Sequence, residues 1–250
     1  MIDITKLSTR APEQFNKDEI QEETKKLEKR LSELQHLLLA QEKYSLLIVL
    51  QGMDASGKDG VVKKVFNKMP IFGISVSSFK APTKQELAHD FLWRVHQETP
   101  KKGQIKIFNR SHYEDVLVTR VLGYTDDVTA KKRFELINNF EEIIAHNKTV
   151  ILKFCLNVSY EMQEERLKDR MTMEHKFHKH SDGDWETRKE WDQYMKYYNE
   201  CLEHTQRIAP WHIVPVDQNW YKEYYITKTV VEALEKLPLA YPPLDTAMNV

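Results

Sequence analysis

Leu46-Leu47-Ile48-Val49-Leu50-Gln51-Gly52-Met53-Asp54-Ala55-Ser56-Gly57-Lys58-Asp59-Gly60 decides the fold. The apolar run Leu46–Leu50 reads as a buried strand that breaks at Gly52 into a loop ending in Gly57-Lys58. A helical pattern follows, carried by Val61, Val62, Val65 and Phe66. Strand, glycine-bearing loop and helix in that order make a phosphate-binding loop. Its backbone N–H groups and the helix N-terminus face an anion, and Lys58 adds a point charge. One position departs from the rule: the hydroxyl residue that normally follows the lysine and holds Mg²⁺ is Asp59. Gly52, Met53, Ala55, Ser56, Gly57, Asp59 and Gly60 are expected to line phosphates around Lys58. Asp54 is a carboxylate in an anion-binding loop, costly unless a metal or the substrate's own proton offsets it. It reads as a metal ligand or an orienter of the attacking oxygen, with an Asx turn as the plainer alternative.

Outward from the loop, β-like runs alternate with helical ones. The strands are expected at Tyr44–Gln51, Ile74–Phe79, Gln104–Asn109, Thr149–Val158 and Trp211–Val216. Helical stretches fall near Lys58–Lys68, Thr83–Glu98, His112–Val121, Thr129–Asn147, Ser159–Arg170, Asp184–Arg207 and Trp220–Leu237. Such alternation implies an α/β fold with a parallel sheet covered by helices on both faces, and ligands at the carboxyl ends of its strands. Residues 1–16 read as a loosely ordered lead-in. From Lys17 to Glu42, Ile20, Leu27, Leu31, Leu34 and Leu38 recur at helical spacing, an amphipathic helix expected to pack on the domain because its heptads are few. No internal repeat or low-complexity linker divides the 250 residues, so one domain over 1–250 is expected, with 1–43 as its lead and helix.

The net charge of −1 hides an asymmetry. Lys58–Arg120 holds twelve Lys and Arg against six Asp and Glu, whereas Glu13–Glu42 holds eight acids against five bases. A basic segment around a phosphate loop suits a ligand of many negative charges, or only a solvated surface. Arg120, which closes that segment, is counted with the candidate phosphate contacts. Two distant cysteines, Cys155 and Cys201, make neither a disulfide framework nor a zinc pattern. No apolar run spans a bilayer, and the N-terminus lacks a signal core, so a cytoplasmic protein with no membrane or nucleic-acid partner is expected.

A second cluster, Asn109-Arg110-Ser111-His112-Tyr113-Glu114-Asp115, ends the third strand next to the loop. Arg110 can fork onto phosphate oxygens, and Asp115 and Glu114 can hold a metal directly or through water. The plainer account of the acids is a helix N-terminus, which does not explain the arginine. Lys80, in Phe79-Lys80-Ala81-Pro82-Thr83, stands at another strand's carboxyl end. Arg166 and Arg170 share a helix face, and the polar segment after them, through about residue 190, resembles a lid or a solvated hairpin. Its His175, His178 and His180 show no metal-ligand order. Trp185, Trp191, Tyr194, Tyr197 and Tyr198 follow at helical intervals, as core packing requires.

With these segments the chain resembles the polyphosphate kinase 2 family over nearly its whole length. Gly52–Gly60 looks like that family's phosphate loop, with Asp in the hydroxyl position and a second glycine after it. Phe79–Thr83 and Phe108–Val116 look like its second and third motifs, and Ala209-Pro210-Trp211 leading into Val214–Asp217 like its last strand region. The resemblance implies a P-loop kinase-like three-layer sandwich: a five-stranded parallel sheet, helices on both faces and a helical lid. It implies reversible transfer of the terminal phosphoryl group of inorganic polyphosphate to nucleoside mono- and diphosphates, with triphosphates on the reverse path. Lys58 and Arg110 would bind the transferring phosphates, Asp54 and Asp115 would hold Mg²⁺ (or Mn²⁺ in its place), and Arg166, Arg170 and Lys176 would be lid contacts. Ser-His-Tyr-Glu-Asp at 111–115 is similar to the subgroup that accepts both mono- and diphosphates, which gives Glu114 a part in acceptor choice. Glu174-His175-Lys176-Phe177 departs from the family, which carries Trp before Lys-Phe. The family also implies homo-oligomers, tetramer or dimer.

Two other readings compete. An ATP-dependent small-molecule kinase is disfavoured by Asp59. A guanine-nucleotide switch is disfavoured because Asn147-Lys148-Thr149-Val150 fails the base-reading pattern at its last position.

Overall fold

The computed structural model describes residues 2–244; Met1 and residues 245–250, included in the expected unit 1–250, lie outside the described residues. Five strands, β1 (Ser45–Gln51), β2 (Ile74–Ser78), β3 (Ile105–Asn109), β4 (Thr149–Asn157) and β5 (Trp211–Pro215), form one parallel sheet in the order β2-β3-β1-β4-β5. Side chains alternate faces along a strand, and all seven residues of β1 are buried, so both faces of the sheet centre are covered. Leu50 sits level with Asn109 of β3, and Gln51 with Cys155 of β4. The phosphate loop therefore leaves the sheet beside the end of β3.

The helices are α1 (Lys17–Gln41), α2 (Lys58–Val61), α3 (Lys84–Leu87), α4 (Trp93–His96), α5 (Val118–Val121), α6 (Asp127–His146), α7 (Tyr160–Thr172), α8 (Asp182–Lys189), α9 (Trp191–His204) and α10 (Asn219–Glu235). Asn16 caps α1 by accepting from the N–H groups of Asp18 and Glu19. Its apolar stripe, including buried Ile20, Leu31, Leu34 and Leu38, lies against α10 and the sheet. Packing on the body is what the stripe does.

Several expected helices are broken, each for a local reason. Thr83–Glu98 is two short helices: Thr83 and Glu86 cap α3 reciprocally, and the Asp90 carboxylate takes the Leu92 N–H at 2.9 Å to start a new turn. His112–Val121 is a tight 3₁₀ turn over His112–Val116 followed by α5, broken at Leu117 (φ −115°, ψ −86°). The stretch from 184 to 207 divides at Glu190 into α8 and α9. After α2 the chain widens into π turns over Val62–Phe66. The lead-in is also more ordered than composition suggests. Ile4 is buried, its N–H donating to Asn199 Oδ1 (2.9 Å) and its carbonyl accepting from Asn157 Nδ2 (3.2 Å). Both cysteines are buried and unpaired, and among the described residues no helix is long and apolar enough to cross a membrane.

Beneath the carboxyl end of β3 the core holds an ion pair. Lys153 Nζ, on β4, lies 2.8 Å from Glu141 Oε2 on α6 and donates to Tyr113 Oη (3.0 Å) and the Thr205 carbonyl. Tyr113 Oη donates to Glu141 Oε1 at 2.6 Å. Both charged side chains are fully buried, so each depends on the other. Lys153→Met, which strands Glu141, should lower unfolding free energy by about 3–5 kcal/mol in urea titrations, and Lys153→Met with Glu141→Leu should lose less than the single change.

Candidate active site

The loop between β1 and α2 is held in a shape only its sequence permits. Gly52 takes φ +154°, and a Cβ there would fall 2.8 Å from both the Leu156 carbonyl and Ser56 Oγ. Gly57, with φ +98°, turns the chain into α2. Ala55, without glycine's freedom, also sits at φ +59°. Lys58 folds back over this loop: its ammonium donates to the carbonyls of Gly52 (2.6 Å) and Met53 (3.1 Å). Burial first, and the charge of Arg110 next, pull its pKa down to about 8. Ser56 is buried with its hydroxyl unpartnered. Asp59 is exposed at the start of α2 and accepts from Asn109 Nδ2 at 2.8 Å, while Gly60 follows on the helix.

The end of β3 supplies the partner. Arg110 has φ +63°, its N–H is tied to the Leu50 carbonyl (3.1 Å), and its guanidinium donates to the Asp54 carboxylate. Burial works against its charge, but Asp54 and Glu114 outweigh burial and raise its pKa above the ordinary arginine value. Glu114 lies 3.9 Å from Arg110 and accepts from Gln51 Nε2 at 3.1 Å. Asp115 faces the other way. Its carboxylate is 3.9 Å from Arg94, its carbonyl accepts from Arg133 (2.7 Å), and its Oδ2 is buried without a hydrogen-bond partner. Burial pushes its pKa up to about 6 despite Arg133 and Arg94.

The segment after β4 covers the loop. Arg166 on α7 donates to the carbonyls of Ala55 (3.1 Å), Ser56 (3.3 Å) and Val216 (2.6 Å), so it braces the loop's backbone. Arg170 is bound to Asp184 of α8 and to the Lys179 carbonyl, and Lys176 to Asp169 at 2.7 Å. Burial and then the charge of Asp54 raise the Asp184 pKa. Tyr194 and Tyr198 of α9 also feel Glu114, and burial raises both phenols, Tyr194 to about 12. The aromatic run is core on one side and a wall of this site on the other.

The structure thus gathers Gly52 to Gly60, Arg110, Glu114 and Arg166, and brings in residues the sequence does not mark: Gln51, Arg94, Asp184 and Lys222. Lys222 of α10 is buried, its Nζ 3.0 Å from where a Gly57 Cβ would stand, and its pKa is pulled to about 8 by burial and by Arg166. Lys80 is exposed beyond β2, an edge strand, and its carbonyl anchors Arg94 at 2.9 Å. Arg120 is buried, with its guanidinium over the Tyr197 ring and paired with Asp127 (2.6 Å) and Glu200 (2.7 Å). Its Nε and Nη1 are buried without hydrogen-bond partners.

The raised Asp115 pKa sets a pH dependence. Folding favours its protonated form, so between an unfolded value near 3.8 and a folded value near 6 the native state binds more protons, and stability falls as pH rises. Asp115→Asn removes that contribution. In urea titrations the variant should gain on the wild type as pH rises from about 4 to about 6, with a constant difference above about 7.

The description "Polyphosphate kinase 2 (PPK2)" belongs to the family model that matches residues 14–239. The AMP/ADP-polyphosphate phosphotransferase of Meiothermus ruber is 45% identical over 222 residues, 88% of this chain and 83% of that protein. The ADP-polyphosphate phosphotransferase of Rhodopseudomonas palustris is 37% identical over 233 residues, 87% of this chain and 80% of that one. The crystal structure of polyphosphate kinase 2 from Arthrobacter aurescens superposes with a TM-score of 0.94 at 35% identity, covering 99% of this chain and 90% of that one. With residues 14–239 matched by the family model and a relative 45% identical over 88% of the chain, the chain belongs to the polyphosphate kinase 2 family.

Proposed function

We propose that the protein moves the terminal phosphoryl group of inorganic polyphosphate onto ADP and AMP, reversibly and with Mg²⁺. The observation that carries this reading is the Arg110–Asp54 contact across a phosphate loop whose hydroxyl position is Asp59. The names of the relatives from Meiothermus ruber and Rhodopseudomonas palustris support it.

The acceptor's attacking atom is already a phosphate oxygen, so no strong general base is needed. The difficulty is holding two anions together. Loop N–H groups and Lys58 receive the terminal phosphates once these displace the Gly52 and Met53 carbonyls from the ammonium. Arg110 forks onto the group in transfer. The acceptor oxygen bonds to the terminal phosphorus as the bridging P–O bond breaks, leaving polyphosphate one unit shorter. Glu114, positioned by Gln51, bears on whether a mono- or a diphosphate is accepted.

The residues fit a hard divalent cation. Among the described residues no three or more His, Cys, Asp or Glu form a closed cage, and Mg²⁺ characteristically takes one or two carboxylates with phosphate and water. We assign Asp54 and Asp115 to it; Asp115 would have to turn from Arg94, which its buried Oδ2 meets only at 3.9 Å and without a hydrogen bond. Bound there, Mg²⁺ or Mn²⁺ neutralises phosphate charge. The unit is one domain, residues 166–190 act as a lid with Arg170 and Lys176 on it, and the enzyme works in the cytoplasm as a homo-oligomer. Ile71 and Phe72, 85% and 80% exposed, support an assembly.

Purified protein given Mg²⁺, long-chain polyphosphate and no other donor should form ATP from ADP, and ADP then ATP from ADP-free AMP. Activity with ADP alone would remove Glu114 from acceptor choice, and silence with both would sink the reading. Arg110→Ala and Asp54→Asn should each slow turnover about a hundredfold or more with an unchanged circular dichroism spectrum.

A further inference from the structure

We propose that Gln163 and Arg188 form a positioning pair that sets the Asp54–Ala55 peptide according to whether α8 is seated on α7. Gln163 is fully buried in α7. Its Nε2 donates to the Asp54 carbonyl at 3.0 Å, and its Oε1 accepts from Arg188 Nη1, also at 3.0 Å. These partners fix the amide's orientation, because a carbonyl must receive a proton and a guanidinium can only give one. Arg188, on α8, is buried as well. It donates to the Tyr160 carbonyl (2.7 Å) and Glu164 Oε2 (2.8 Å), and lies 3.3 Å over the Tyr160 ring.

The carbonyl that Gln163 holds leads directly into Ala55, the alanine at φ +59°. Left-handed backbone is unfavourable for alanine and persists only where surroundings enforce it. Relaxing it rotates the peptide and carries the Asp54 side chain off Arg110. The Gln163 hydrogen bond opposes that rotation. From the same helix Asp184, one turn before Arg188, feels the charge of Asp54 and is bound by Arg170. So α8 reaches Asp54 at its carbonyl, through Arg188 and Gln163, and carries Asp184 on the same helix. When α8 leaves, Gln163 loses its acceptor-side partner, its amide is free to turn, and Asp54 is released with it. Seating of the lid and readiness of Asp54 become one event.

The functional part rests on the assignment of Asp54 to the reaction, so the test reads the loop as well as turnover. Gln163→Met and Arg188→Met should each slow turnover about tenfold, with KM for polyphosphate within about twofold of wild type. The double variant should be no slower than the slower single one, as expected for two parts of one link. Hydrogen exchange at amides 53–57 should quicken while β1 and β4 exchange as in wild type. Gln163→Glu keeps an acceptor for Arg188 and the side chain's shape but loses the donor, and should give the same loop exchange in a folded protein. Multiplying effects in the double variant, unchanged loop exchange in Gln163→Glu, or faster exchange spread through β1 and β4 would each overturn the pair. Full turnover in Asp54→Asn would sink the catalytic assignment of Asp54 instead, leaving the exchange result to stand or fall alone.

Discussion

A site that brings two phosphates together must first keep its own cations together. Lys58 and Arg110 repel each other, and both are partly or wholly withdrawn from water. Asp54 is the group that makes the arrangement tenable. Bound to Arg110 and facing Lys58, it holds the guanidinium charged and aimed before any substrate supplies negative charge. The cost of a carboxylate in an anion loop is therefore offset within the protein. Around that contact the remaining polar groups fall into order: Gln51 on Glu114, Asn109 on Asp59, Arg166 on the loop carbonyls.

The sheet register turns this into a fixed geometry. Arg110 begins where β3 ends, hydrogen-bonded through its backbone to Leu50, so the loop and the arginine share one scaffold. Below, the Glu141–Lys153–Tyr113 network clamps the turn that carries Glu114 and Asp115 to β4 and α6. A buried ionic network of this kind offers little net stability, but its satisfied hydrogen bonds admit few alternative positions for Tyr113.

What the sequence made legible is what local chemistry encodes. The strand bounds came within a residue of expectation, and for β1 and β4, buried almost throughout, the apolar run itself marks the strand. Gly52 and Gly57 marked the loop because only glycine fits their backbone. A count of bases cannot tell which are paired within the fold, as Arg120 is with Asp127 and Glu200. Asp184, Arg94 and Gln163 were invisible for a related reason: nothing in their neighbours announces them, and their roles arise from contacts across the fold. The broken helices at Asp90, Leu117 and Glu190 turn on caps and dihedrals too local for periodicity to resolve.

The folded-back Lys58 has a consequence for selectivity. With its ammonium on the Gly52 and Met53 carbonyls, the loop carries an intramolecular competitor for an anion at Lys58. Any phosphate binds only the fraction of loops in which that competitor has let go, so intrinsic affinity is discounted by that fraction. A lone orthophosphate, touching the loop and little else, bears the discount in full. A long polyanion can first engage other cations and then meet the lysine at high effective concentration, so the same discount becomes a threshold that length overcomes.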